Sequence, residues 1–158
     1  MTIVRYCTMG FSKLDEAEIH LILRDPRGWA RDGYDFIQVP NEYQPPPDVF
    51  IIARSPKFMN WRFKKPELRG LSVTVRTYDT KLPPVINIHM ANWRHPPVNF
   101  IGDRSTYRAY LIQHEMGHAL GHGHAEVDAG QTGTMRPCPV MYQQSRGTKG
   151  ICIANPWQ

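Results

Sequence analysis

At 158 residues, 41% hydrophobic, the chain is long enough for one core and leaves little room for a second. No apolar run approaches the length of a membrane span, and a formal charge of +5 does not by itself indicate a nucleic-acid partner. Arg62-Phe63-Lys64-Lys65 is the one compact basic group and reads as a solvated loop, while the overall positive charge gives a mild bias towards acidic substrates or anionic surfaces.

Met1 to Tyr6 shows no basic lead, apolar run and cleavage site, so no signal peptide is expected. The localisation implied is cytoplasmic, or secreted by a route not visible in this chain. Ile3 to Thr8 mixes β-branched and aromatic residues and predicts a strand. Ser12 offers a helix cap with Asp15 three residues on, and Leu14, Ala17, Leu21 and Ile22 recur at helical spacing up to Pro26. Asp25-Pro26-Arg27-Gly28-Trp29 is a turn whose aromatic closes over the core. Prolines at 40, 45, 46 and 47 make the next stretch a loop. Val49 to Ala53 reads as a buried strand, Leu71 to Arg76 as an alternating one and Val85 to Met90 as the fourth, with a basic, aromatic loop containing Trp61 before the third. Asp103 or Ser105 caps the next helix, on which Ile112, Met116, Ala119 and Leu120 form an apolar stripe. From Ala125 onward, Gly, Pro and small polar residues predict a mostly irregular lobe with one short helix. Three cysteines cannot all pair: Cys138 and Cys152 could clamp the segment between them in an oxidising compartment, leaving Cys7 as a buried thiol.

The chemistry concentrates in His114-Glu115-Met116-Gly117-His118-Ala119-Leu120-Gly121-His122-Gly123-His124, which fits H-E-x-x-H-x-x-G-x-x-H at every fixed position. Residues four apart on a helix share a face, so His114 and His118 aim two imidazoles at one point. Glu115 follows the first ligand and sits where a carboxylate can hold a water beside the metal without binding the ion. Gly121 lets the helix end in a left-handed turn, which swings His124 to the same point. His122 and Glu126 are rival third ligands: His122 points elsewhere if Gly121 ends the helix, and Glu126 matches no position of the motif. Three nitrogen ligands and an open position describe a catalytic site for one Zn2+ ion.

At these residues the sequence resembles the metzincin clan of zinc endopeptidases, which add a methionine turn beneath the metal. Cys138-Pro139-Val140-Met141-Tyr142 is similar to that turn, with Met141 as the floor. A transition-state tyrosine of some clan members falls two positions after the methionine, where this chain has Gln143; Tyr142 comes one position early. The Asp25–Trp29 segment, and Asn155-Pro156-Trp157 after Cys152, resemble small bacterial metzincin-like domains. Those domains follow an export signal or anchor, which this chain does not show.

The resemblance implies an α+β fold: a small mixed twisted sheet of about four strands on two helices, within a single catalytic domain over 1–158. Its upper part would be 1–123 and its lower lobe 124–158. It implies a protein or peptide substrate, Glu115 as general base and, along the strand from Val85 to Met90, a cleft-side edge on which Asn87, Ile88 and His89 touch substrate. A monomer without nucleic acid or a membrane span is expected. Two alternatives stay open: a hydrolase of cell-wall peptide cross-links, and a zinc-bearing module that holds peptides without cutting them.

Overall fold

One mixed sheet of five strands and four helices make up the computed structural model of the chain, which describes residues 1–77, 81–127, 136–148 and 150–158. Residues 128–135 of the expected lower lobe lie outside the described residues. The strands are β1 (Thr2–Met9), β2 (Tyr34–Gln38), β3 (Val49–Arg54), β4 (Val73–Val75) and β5 (Val85–His89). Their order is β2-β1-β3-β5-β4, parallel throughout except for the antiparallel β4–β5 pair. The helices are α1 (Lys13–Leu23), α2 (Pro56–Arg62), α3 (Met90–Arg94) and α4 (Arg104–Ala119).

Local chemistry accounts for the helix starts. The Ser12 hydroxyl accepts from Asp15 N–H, and the Asp103 carboxylate accepts from Thr106 N–H at 2.7 Å. α1 forms as expected but turns Leu14 (85% exposed) and Leu21 (72%) outward; Ile19, Ile22 and Leu23 face the core instead. α4 is buried on most of its circumference, from Tyr107 through Ala119, between the sheet, α1 and the C-terminal segment. Burial of that many large side chains, each worth roughly 1.5–3 kcal/mol, fixes the rotation of the helix that carries His114 and His118.

Two expectations need correction here. The sheet has five strands, because Tyr34–Gln38 adds an outer strand beside β1. The strand from Val85 is not the edge: β4 pairs outside it, through Val73↔Asn87 and Val75↔Val85. Asn87, Ile88 and His89 are therefore buried (3%, 0% and 6% exposed). Asn87 spends its amide on Arg54 Nε and the Val73 carbonyl.

Among the described residues the C-terminal lobe is irregular apart from a single 3-10 turn at Gln144–Arg146. Cys138 and Cys152 are disulfide-bonded, and backbone bonds from Cys138 N to Ile153 O and from Ile153 N to Arg136 O flank the link. Cys7 is free and buried. Closing a loop of 14 residues constrains the unfolded chain by about 3 kcal/mol. Reduction, or Cys138→Ala with Cys152→Ala, should lower the urea-unfolding free energy by about that amount; an unchanged midpoint would remove the link from the stability account.

Candidate metal centre

α4 carries His114 and His118 one turn apart, and its C-terminus is closed by a Schellman arrangement. Gly121 N–H donates to His118 O, His122 N–H donates to Gly117 O, and Gly121 sits at φ +104°. The reversal brings His124 back over the helix, with His118 Nε2 and His124 Nε2 3.1 Å apart. One ligand atom from each of His114, His118 and His124 lies within 4.8 Å of the others, and these three histidines could hold a metal ion.

The hydrogen bonds fix which nitrogen faces inward. His114 Nδ1 lies 2.8 Å from Val140 O, and His118 Nδ1 lies 2.8 Å from His122 O. A carbonyl only accepts, so each Nδ1 carries the proton and each Nε2 offers a lone pair. Burial pushes His114 down to about 3 and holds His118 and His124 below the ordinary imidazole value, so all three are neutral at pH 7. Two ligands of a tetrahedral zinc ion stand roughly 3.3 Å apart, given zinc–nitrogen bonds of about 2.0–2.1 Å. The His118–His124 separation of 3.1 Å matches that spacing, the third donor lies within 4.8 Å of both, and three neutral imidazoles suit such an ion. No other Cys, His, Asp or Glu joins the group among the described residues.

His122 is accounted for otherwise: its ring stacks on Trp29, centroids 4.4 Å apart. Glu126 is exposed and outside the group. Glu115 is buried (5% exposed) and borders the same cavity of about 770 Å³ as the three histidines. Its Oε2 lies 2.5 Å from the Thr74 hydroxyl of β4. Burial, partly offset by that hydroxyl, pushes the carboxyl up to about 8.

Met141 lies under the helix. A Cβ on Gly117 would press into Met141 Sδ and come within 2.6 Å of Trp29 Cζ2, so the glycine between the two helical histidines is a packing requirement. The same segment orients the histidine cluster through its backbone: Val140 O holds His114, and Met141 O accepts from Ala125 N–H, one residue past His124. Gln143 lines the cavity, whereas Tyr142 does not; the Tyr142 carbonyl instead accepts from Tyr110 OH.

The two outlying motifs support this turn. Gln113, fully buried, receives Trp29 N–H at its side-chain oxygen and donates to Ile22 O, while Trp29 Nε1 donates to Gln113 O. Gly28 packs where any Cβ would strike that amide. At the other end Asn155 donates to Cys138 O and exchanges hydrogen bonds with Gln144. Arg27, paired with Asp25, stacks on Trp157 at 4.2 Å. Thr74, Gln113 and Gly117 were not anticipated as site residues. A glycine inside a helix is a visible anomaly and could have flagged Gly117; nothing local marks Thr74.

These pKa displacements set opposite pH dependences in protein stripped of metal. His114 titrates at about 3 folded and 6.5 unfolded, so the unfolded chain binds the extra proton between those values and stability falls as pH drops through them. Glu115 titrates at about 8 folded against 4.5 unfolded, so its contribution is full below 4.5 and is lost as pH rises to 8. Glu115→Gln should therefore gain stability over wild type steadily from pH 4.5 to 8 in metal-free urea titrations. A pH-independent difference would show that the carboxyl is not desolvated.

No helix among the described residues is long and apolar enough to cross a membrane. The solved structure of myroilysin is similar at a TM-score of 0.48 with 15% sequence identity, over 78% of this chain and 49% of that one; the chain thus spans about half the length of that structure. No curated protein matches the sequence. A family model described as "Protein of unknown function (DUF3152)" matches residues 7–155, nearly the whole chain, and the chain belongs to that family.

Proposed function

We propose that the protein is a zinc-dependent endopeptidase, with His114, His118 and His124 holding one zinc ion and Glu115 as general base. The observation that carries this reading is the convergence of three neutral imidazoles beside a buried, non-ligating carboxylate in one open cavity. A purely peptide-holding site has no use for that carboxylate, whose burial is costly. Zinc in such a site supplies Lewis acidity and an acidified water at neutral pH.

The chain's own groups then divide the labour. Thr74 holds Glu115 Oε2. The carboxyl keeps its proton to about pH 8 in metal-free protein, and the positive charge of a bound zinc ion would favour the ionised form. Its other oxygen would then take a proton from the attacking water and return it to the leaving amine nitrogen. β4 is the sheet edge, and its Val73 and Thr74 line the cavity, so an extended substrate pairs by main-chain hydrogen bonds there rather than on β5. Met141 and Gly117 hold the helix and the turn in register, and Gly121 sets the approach of His124.

A digest of a proteome-derived peptide library tests the proposal. Cleavage should vanish when a chelator removes the metal and return on addition of one equivalent of zinc. Cleavage indifferent to the chelator, or none by the zinc-loaded chain on any peptide, would end the endopeptidase reading.

A further inference from the structure

Six of the chain's 19 Lys and Arg residues, but one of its 14 Asp and Glu residues, fall between Arg54 and Arg69. That segment holds five net positive charges, the thirteen of each sign elsewhere cancel, and the whole formal charge of the protein resides in it. The structure shows the charges displayed and not neutralised. Lys57, Arg62, Lys64, Lys65 and Arg69 are exposed, and none makes an ion pair among the described residues. α2 is anchored by Met59 and, just beyond its end, Phe63 (3% and 7% exposed), which leaves Trp61 on the outer side at 65% exposure. Phe58 lies 5.8 Å from the Trp61 ring, and Arg54 stacks on Phe58 at 4.1 Å. Concentrating like charge in this way destabilises the fold by self-repulsion, so packing does not explain it.

The segment runs directly into the cavity wall. Glu67, Leu68, Leu71, Ser72, Val73 and Thr74 line the cavity, and Arg146, another lining residue, donates to Glu67 O. We infer that the Arg54–Arg69 surface is a docking site for an acidic stretch of a polypeptide substrate whose cleavable bond lies in the adjoining cavity. The inference rests on the endopeptidase reading for the cavity, although the docking itself does not. Charge complementarity supplies attraction and a faster encounter. Trp61 adds an apolar contact on which an extended chain can lie. A flat anionic bilayer would also meet the cations. Yet Trp61 is the one large apolar side chain exposed on the segment, and a bilayer cannot follow the surface into a concave cleft.

The test uses the full chain with Glu115→Gln, so that nothing is cut, and a fluorescein-labelled 20-residue poly-glutamate peptide. Anisotropy should show binding that weakens at least tenfold when Lys57, Arg62, Lys64 and Lys65 are changed to Gln, and that weakens with salt in wild type far more than in the fourfold variant. Changing Lys13, Arg24, Arg94 and Arg104 to Gln removes equal charge elsewhere and should shift binding less than twofold. Equal losses in the two fourfold variants would overturn the docking site, as would binding to vesicles of anionic phospholipid but not to the peptide. On wild-type chain, the preference for a peptide with an acidic flank over a neutral one should fall about tenfold in the patch variant. Absence of all cleavage would count against the endopeptidase reading and leave the anisotropy result to decide the docking surface.

Discussion

Glu115→Gln should lower peptide hydrolysis by about 10²–10⁴-fold while zinc content stays at one ion per chain. The carboxylate is outside the ligand group, so its loss leaves the three imidazoles in place. An amide of the same shape can keep the contact with Thr74 but cannot accept a proton from water. It is also cheaper to bury than an ion, so the variant should unfold no sooner than wild type near pH 8. Steady-state rates on one cleaved peptide, together with metal analysis of the same preparation, check both halves. Wild-type rates in the variant would remove Glu115 from the chemistry, and loss of zinc would make it a ligand.

Gly117→Ala should destabilise the protein and weaken metal binding together. On an isolated helix the change is favourable by about 1 kcal/mol. Here the new methyl meets Met141 and Trp29 at once, and overpacking of a filled core costs roughly 1–3 kcal/mol. A net loss of up to about 2 kcal/mol follows once the helical gain is subtracted. Zinc affinity should fall with it, about 10–100-fold, because Met141 and Val140 supply the carbonyls that hold the Ala125 amide and the His114 ring. Urea unfolding of metal-free protein and a competitive zinc titration read the two effects separately. A variant as stable as wild type would mean that the turn does not press on the helix.

What could be read in advance was local. The i, i+4 histidines, the caps at Ser12 and Asp103 and the reversal at Gly121 depend on residues a few positions apart, and each appears where the sequence places it. α2 was readable too: Ser55 caps it, accepting from Phe58 N–H, and Pro56 occupies its first turn, yet the surrounding basic and aromatic residues made it look like a loop. β2 escaped because an outer strand with one buried residue in five shows little alternation. Strand order was out of reach for a different reason. Whether β4 or β5 lies outermost depends on pairings between distant segments, and the hydroxyl that holds Glu115 arrives from 41 residues away. The strand from Val85 to His89 lies inside the sheet for that reason alone. The Asp25–Trp29 and Asn155–Trp157 motifs were visible as oddities, but their docking on Gln113 and on the Cys138–Gln144 segment was not.

The brevity of β4 sets a ruler. Three residues at about 3.3 Å each give roughly 10 Å of ladder. On the endopeptidase reading a guest strand would be aligned over that span of β4, so backbone registry would govern only the few positions next to the bond being broken. Discrimination between one polypeptide and another then falls to whatever side chains reach past the end of that short track.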